Sequence, residues 1–326
     1  MSQSFAARCG LDNAQRRVAV DQLRQRIEAE HIETVRLAWC DVHGTLRGKT
    51  LVGATALKAM SSGASMVSTL LLKDSSDRTA YKVFEADGPG DQDDLSGFGQ
   101  AGNVMLLPDP ESFQVLPWLA HTGWVRCQPW FNDGQPIPLD SRRVLEQALA
   151  RLQSHGLGMR CGLEVEFHIY RLAADQHDPQ TDPLQAAWPG LPPPVRLLHP
   201  GYGLLSEQWT DLAEPALCIV QQTAQSLGLP LSSLEIELGP SQVEAVFEVT
   251  DALRAADQMV LFRSAARQAL RRAGYYATFV CRPPFPNIMS SGWHLHQSLI
   301  DLQTGRNAFM RDRPEAVLAM ARHLGC

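Results

Sequence analysis

The chain has 326 residues, of which 44% are hydrophobic and 20% charged, and a formal net charge of −6. This is the composition of a soluble globular protein of about two domains, and the acidic balance argues against a nucleic-acid-binding surface. No apolar run reaches the roughly 18 residues of a membrane helix, and the opening MSQSFAARCG lacks the apolar stretch of a signal peptide, so neither a membrane partner nor export is expected.

In chain order, residues 14–31 carry Val18, Val20, Leu23 and Ile27 on a charged background, which predicts a helix with one apolar stripe. ETVRLAWCD alternates as a strand, and HGTLRGKTL follows as a turn and a second strand. Residues 75–103 are rich in Asp, Gly and Ser and read as loop; VMLLPDP is a short strand closed by prolines. This first block, residues 1–119, is small and mixed α+β, and a second block runs over 120–326. There VRCQPWF reads as a strand and DGQPIP as a turn. Residues 141–155 read as a helix, with Ser141 as N-cap and Gly156 as its stop. MRCGLEVEFHIYRL is a strand, 178–200 a proline-rich loop, and 211–227 a helix ended by Gly228. SLEIELGP and QVEAVFEV are strands, 251–273 an amphipathic helix, and YYATFVCRP and SGWHLHQSLID two more strands. Seven cysteines (Cys9, Cys40, Cys127, Cys161, Cys218, Cys281, Cys326) show no CxxC pattern. They fit reduced thiols, mostly in the core, in a cytoplasmic protein.

Four of these strands share a chemical peculiarity. Side chains at i and i+2 of a strand leave the same face. Glu164 and Glu166 flank Val165, Glu235 and Glu237 flank Ile236, Gln242 and Glu244 flank Val243, and His294 and His296 flank Leu295. Each strand thus has one apolar face toward a core and one face of ligand-type groups. For a single pair the simplest reading is a solvated sheet face. Four pairs without one Lys or Arg suggest more. Five carboxylates on one concave face would repel unless protonated or neutralised, and hard divalent ions prefer carboxylate oxygens, with Mn²⁺ also accepting imidazole. Phosphate-loop, dinucleotide, HEXXH and GxSxG motifs are absent from the sequence.

Several stretches together resemble the glutamine synthetase family, type I-like, in its γ-glutamylamine-synthetase branch. They are WCDVHGTLRGK, MLLPDPESFQVLPW, DGQPIPLDSRRVL, GLEVEFHIY, ELGPSQVE, ATFVCRPPF and SGWHLHQS, in the family's order from about residue 32 to the last residue. The resemblance implies an N-terminal β-grasp domain and an α+β catalytic domain on a large antiparallel sheet. It implies an ATP-dependent ligase acting through a γ-glutamyl phosphate, two Mg²⁺ or Mn²⁺ ions per site, and ATP, glutamate and ammonia or an amine as partners. It also implies a homo-oligomer with sites between subunits, a dodecamer of stacked hexamers in the family.

By motif position, Glu166, Glu237 and Glu244 match the ligands of one ion, and Glu164 and His294 ligands of the other. His296 and Ser298 match ATP contacts, and Ser290 and Gly292 the substrate-binding segment. Asp41 matches an aspartate that a neighbouring subunit lends to the ammonium pocket, and Tyr202 a tyrosine of that pocket. Trp293, on the opposite strand face, is expected in the core. Without the family, Asp41 reads as a turn residue beside His43-Gly44.

The sequence departs from the family pattern in three ways. Met289-Ser290 stands where Asn-Gly is usual, Ser241 stands where glycine is usual, and the aspartate–glycine–serine–serine loop of ammonia-using members is replaced by SSGASMVSTLLLKD. The acceptor is therefore expected to be an amine rather than ammonia. The family's arginine motifs, flap glutamate and third ligand of the second ion lie beyond the segment matched here, so little or no ligase activity is expected of residues 1–326 alone. The alternative reading of the same residues is a non-catalytic relative that binds metal or nucleotide.

Overall fold

Asn13 sets the start of the first long helix: its side chain accepts a hydrogen bond from Arg16 N at 2.8 Å, satisfying one of the orphan donors of the first turn. In the computed structural model, which describes residues 3–81, 98, 102–173 and 192–310, that helix is α2 (Ala14–Ala29), after a short α1 (Phe5–Arg8). Its buried stripe is Ala19, Leu23 and Ile27, while Val18 is 57% exposed. Leu23 and Ile27 are where the stripe is expected, and Val20 packs partly buried against the same core; Val18 is the exception, and Ala19 is buried in its stead.

The first unit continues through β1 (Thr34–Cys40), β2 (Leu46–Val52), α3 (Gly53–Ser62), β3 (Ala64–Val67), β4 (Asn103–Pro108), β5 (Gln114–Val115) and β6 (Thr122–Trp130). Its sheet runs β2-β1-β6-β4-β3, with β5 added against β6. The β1–β6 pair is parallel, and the other pairs are antiparallel. Leu23 and Ile27 of α2 and Met60 of α3 pack with Val35, Leu37, Trp39, Leu106 and Val125 into one core. Because β6 pairs into this sheet, the two compact units divide between Val144 and Leu145 rather than at residue 119.

Helix α4 (Ser141–Ser154) runs through that division. Asp140, not Ser141, serves its first turn, accepting from Arg142 N at 3.2 Å, and Gly156 at φ +76° ends it. The second unit is organised around β7 (Leu157–Leu172), a 16-residue strand. It is followed by β8 (Val195–Leu197), α5 (Glu207–Ser226), β9 (Leu231–Ile236), β10 (Gln242–Asp251), α6 (Ala252–Arg272), β11 (Tyr275–Thr278) and β12 (Trp293–Asp301). Strands β8, β10, β11 and β12 all pair antiparallel with β7, and β9 pairs antiparallel with β10. The loop expectations for 75–103 and 178–200 lie largely outside the described residues, and the described end of the second contains β8.

One face of this sheet is oily. Val165, Phe167, Ile169, Val243, Ala245 and Phe247 are buried, and helix α6 packs on β7, β10 and β11. Phe262 of α6 meets Phe167, Phe247 and Phe279 edge-on, with ring centroids 6.0, 4.8 and 6.1 Å away. The expected core packing of Trp293 and Leu295 is not found. Trp293 is 39% and Leu295 53% exposed, because β12 is an edge strand among the described residues; Trp293 meets Phe279 edge-on at 6.3 Å. Phe262→Ala should cost about 3–5 kcal/mol by removing a fully buried ring at the centre of this cluster. Urea unfolding followed by aromatic fluorescence measures it, and a loss below about 1 kcal/mol would show that the cluster does not hold α6 to the sheet.

Candidate metal centre

Strand alternation puts the second unit's polar pairs on the face opposite α6. On β7, Glu164 and Glu166 alternate with buried Val165 and Phe167. The register then aligns the neighbours: Glu244 lies opposite Glu166, Glu235 opposite Glu244, and His294 opposite Glu164. Glu237 follows just beyond β9, its N–H donating to Gln242 O at 3.0 Å. His296 lies opposite Gly162, and its Nε2 reaches Glu164. All four pairs noted in the sequence therefore share one face.

The distances divide this face into two overlapping donor sets. Glu166, Glu237 and Glu244 can each offer an oxygen within 4.8 Å of the others, and so can Glu164, Glu244 and His294 with their oxygens and imidazole nitrogen. Glu244 belongs to both. His294 Nδ1 lies 3.1 Å from Glu164 Oε2 and 3.7 Å from Glu244 Oε1, and its Nε2 lies 3.9 Å from Glu166 Oε1. His296 Nε2 is 3.1 Å from Glu164 Oε1.

The electrostatic stress of the arrangement falls on Glu244. Burial, and then the carboxylates of Glu237, Glu164, Glu166 and Glu235, push its carboxyl up to about 7. Its Oε1 is buried without a hydrogen-bond partner. Glu237 is also raised, by burial first and then by Glu166 and Glu235. Glu164 goes the other way, held below the ordinary carboxylate range mainly by its hydrogen bond with His296. A buried, unpartnered carboxylate oxygen facing further carboxylates and an imidazole is the donor set that a hard divalent ion satisfies. The residues present thus fit two such ions sharing Glu244.

The other expected residues are placed as follows. Ser298 stands on β12 opposite Arg160, two positions beyond His296 and on the same face. Ser290 is exposed, and its carbonyl accepts from Gln242 Nε2 at 3.1 Å; Gly292 N donates to Glu166 Oε2 at 2.8 Å. Tyr202 is 66% exposed at φ +55°, its N–H donating to Leu238 O at 2.7 Å. Asp41 belongs to the first unit and is 2% exposed. Its Oδ1 accepts from His43 N (3.0 Å) and Thr45 N (2.8 Å), and its Oδ2 pairs with Arg47 Nε at 2.7 Å. Both oxygens are thus engaged in its own turn, in keeping with the turn-residue reading.

Sequence reasoning named Gln242 and Ser241 but passed over the buried polar layer they belong to. His168, His199 and Ser291 are buried with them. His168 continues the Glu164-x-Glu166 spacing by two more residues, a signal present in the string. Beside this layer an apolar pocket of about 380 Å³ is lined by Tyr170, Leu197, Tyr202, Pro240, Phe285 and Ile288, among others.

Residues 138–324 match the glutamine synthetase catalytic domain. The chain is 33% identical to a γ-glutamylanilide synthase of an Acinetobacter species over 98% of its own length and 64% of that protein's. It is 28% identical to a γ-glutamylethanolamide synthetase of Streptomyces coelicolor, over 89% of this chain and 58% of that protein. A solved structure described as a GmaS/ADP complex shares the fold at a TM-score of 0.68 and 21% identity, covering 90% of this chain and 58% of that one. The chain therefore spans less than two-thirds of each of these proteins.

The raised carboxyl of Glu244 has a sign that can be measured. A folded-state carboxyl above its unfolded value of about 4.5 keeps a proton that the unfolded chain loses, so metal-free stability falls as pH rises from about 4.5 to about 7. Glu244→Gln removes the repulsion and should raise the metal-free melting temperature at pH 8 while weakening Mn²⁺ binding at least tenfold. Thermal melts in chelator and isothermal titration with Mn²⁺ check both. A variant less stable at pH 8, or one binding Mn²⁺ as wild type does, would contradict the assignment.

Proposed function

The chain belongs to the glutamine synthetase family, and on that premise we propose that it is an ATP-dependent carbon–nitrogen ligase joining glutamate to an amine. The observation that carries the reading is the pair of donor sets sharing Glu244 on one sheet face. Glu166, Glu237 and Glu244 hold one divalent ion; Glu164 and His294, with Glu244 within reach, hold the other. Bound Mg²⁺ or Mn²⁺ supplies charge neutralisation for the phosphoryl oxygens, which phosphoryl transfer needs more than covalent assistance. His296 and Ser298, on the β12 continuation of the same face, contact the nucleotide. Glutamate lies along Ser290–Gly292. Because Gly292 N already donates to Glu166, and Met289 offers no side-chain donor where the family usually has Asn, Ser290 is the hydroxyl left there to recognise the acid.

In the reaction, the γ-carboxylate of glutamate attacks the γ-phosphorus of ATP, releasing ADP. The amine nitrogen then attacks the acyl phosphate, phosphate leaves, and the nitrogen gives up a proton. Asp41, presented by a neighbouring copy in a homo-oligomer, and Tyr202 attend the amine; Asp41 would have to share its carboxylate with Arg47 and its turn. The two similar enzymes above, a γ-glutamylanilide synthase and a γ-glutamylethanolamide synthetase, support an amine acceptor. So does the apolar Tyr202–Pro240 wall of the pocket, three residues from Glu237. In the first unit, a parallel β1–β6 pair flanked by antiparallel β2 and β4 and packed against α2 supports reading it as the β-grasp domain.

Thermal melts test this reading. Mn²⁺ should raise the melting temperature, and ATP with methionine sulfoximine, a glutamate analogue whose sulfoximine nitrogen can accept the phosphoryl group, should raise it several degrees further; ligand at 100 times Kd contributes about 2.7 kcal/mol. A shift with Mn²⁺ and ATP but none with methionine sulfoximine would instead favour a metal- and nucleotide-binding relative without ligase chemistry.

A further inference from the structure

Gln242 is 2% exposed at the first position of β10, on the carboxylate face but beneath the ion ligands. Its amide is surrounded. Nε2 lies 3.0 Å from Glu166 Oε2, 3.1 Å from Ser290 O and 3.1 Å from Ser291 Oγ, while Oε1 accepts from Gly239 N at 2.9 Å. An amide nitrogen has two hydrogens, so three acceptors share two donors, and no rotation of the side chain improves on this orientation. Glu166 Oε2 also accepts from Gly292 N at 2.8 Å. That oxygen is fully engaged, which fixes the plane of the carboxylate and leaves Oε1, 3.9 Å from His294 Nε2, on the ion side.

The space around the amide is closed. A Cβ added at Gly239 would stand 2.5 Å from Gln242 Oε1 and 2.7 Å from Met289 Cβ, so the turn before β10 and the segment before β12 press on the amide from two sides. Beneath it, Ser291 Oγ lies 3.3 Å from His168 Nδ1, and the Gln242 carbonyl lies 3.1 Å from His199 Nε2.

We propose that Gln242 is the positioning residue of the metal centre, its amide aligning Glu166 for the ion held with Glu237 and Glu244 and carrying the Ser290–Gly292 segment on the same hydrogen-bond set. The proposal rests on the two-ion reading above and deepens it. One side chain couples an ion ligand to the segment that receives the acid substrate, so the register of one cannot shift without the other. Partners that orient a metal ligand typically contribute 10–100-fold in affinity, although they never touch the ion.

The experiment compares wild type, Gln242→Met, Gln242→Asn and Ser241→Ala by Mn²⁺ titration with electron paramagnetic resonance. Met keeps the size but removes the donors. Asn keeps the amide but shortens its reach, and it carries the test if the Met variant does not fold. Ser241 Oγ accepts from Leu198 N at 2.7 Å in the same buried layer without touching Glu166, so its alanine variant controls for lost stability alone. Wild type should bind two ions with the exchange-coupled signal of a close Mn²⁺ pair. The Gln242 variants should weaken one ion about 10–100-fold and show an isolated-ion signal at sub-saturating Mn²⁺, while Ser241→Ala keeps the pair. Gln242 variants that keep both ions at wild-type affinity, or a Ser241→Ala variant that loses the same ion to the same degree, would overturn the positioning role alone. A wild-type chain that binds fewer than two ions would overturn the two-ion reading itself.

Discussion

Repulsion among carboxylates is the constraint around which the second unit is built. Two unit charges 4 Å apart cost about 4 kcal/mol at an effective dielectric of 20, and Glu164, Glu166, Glu235, Glu237 and Glu244 crowd one sheet face. A fold does not hold such a face for stability. The cost is offset locally by hydrogen bonds to Glu166 and by imidazoles beside Glu164, and it is concentrated on Glu244, whose buried Oε1 accepts no hydrogen bond and has the His294 imidazole no nearer than 3.7 Å. The hydrophobic side of the same strands supplies the compensating burial, through the phenylalanine cluster beneath α6.

The loops that frame the site show the same economy. Ser241 stands at φ +62°, a backbone region that costs most residues about 1–2 kcal/mol and glycine nothing, which explains why glycine is usual there. Here the serine hydroxyl accepts from Leu198 N at 2.7 Å and so offsets part of that cost with a buried bond that glycine could not make. The substitution tethers the 198–203 segment to the β9–β10 turn. Gly201, at φ +76°, allows the tight approach, since a Cβ there would come within 2.4 Å of Pro240 N. The departure from the family pattern is therefore a local exchange of backbone freedom for a fixed loop.

Much of the site was legible in the sequence because strand periodicity is rigid. Glu164/Glu166, Glu235/Glu237, Gln242/Glu244 and His294/His296 declare their faces by spacing alone, and the structure puts those faces together. Register is what alternation cannot supply. That His294 rather than His296 stands opposite Glu164, with His296 opposite Gly162, follows from long-range pairing. The apolar partners on β12 were misread for a related reason: Trp293 and Leu295 alternate like core residues, but an edge strand need not be covered on both sides. In the first helix the stripe of Val20, Leu23 and Ile27 was legible, and only Val18 was misread, because hydropathy ranks it above the buried Ala19. Gln242 was visible only as half of a polar pair, since nothing in a string of letters reveals that an amide is buried among three acceptors.

Glu164 and His294 meet at 3.1 Å across 130 residues of chain. Each donor set on this face draws on at least two strands, and the set that contains His294 needs β7 paired with both β10 and β12. In kinetic terms the centre is among the last features to form, because closure of so long a loop precedes any reward from the contact. An ion held on this face would thus report that the sheet has been assembled in its correct register, since a one-residue slip of β12 would turn both imidazoles away from the carboxylates.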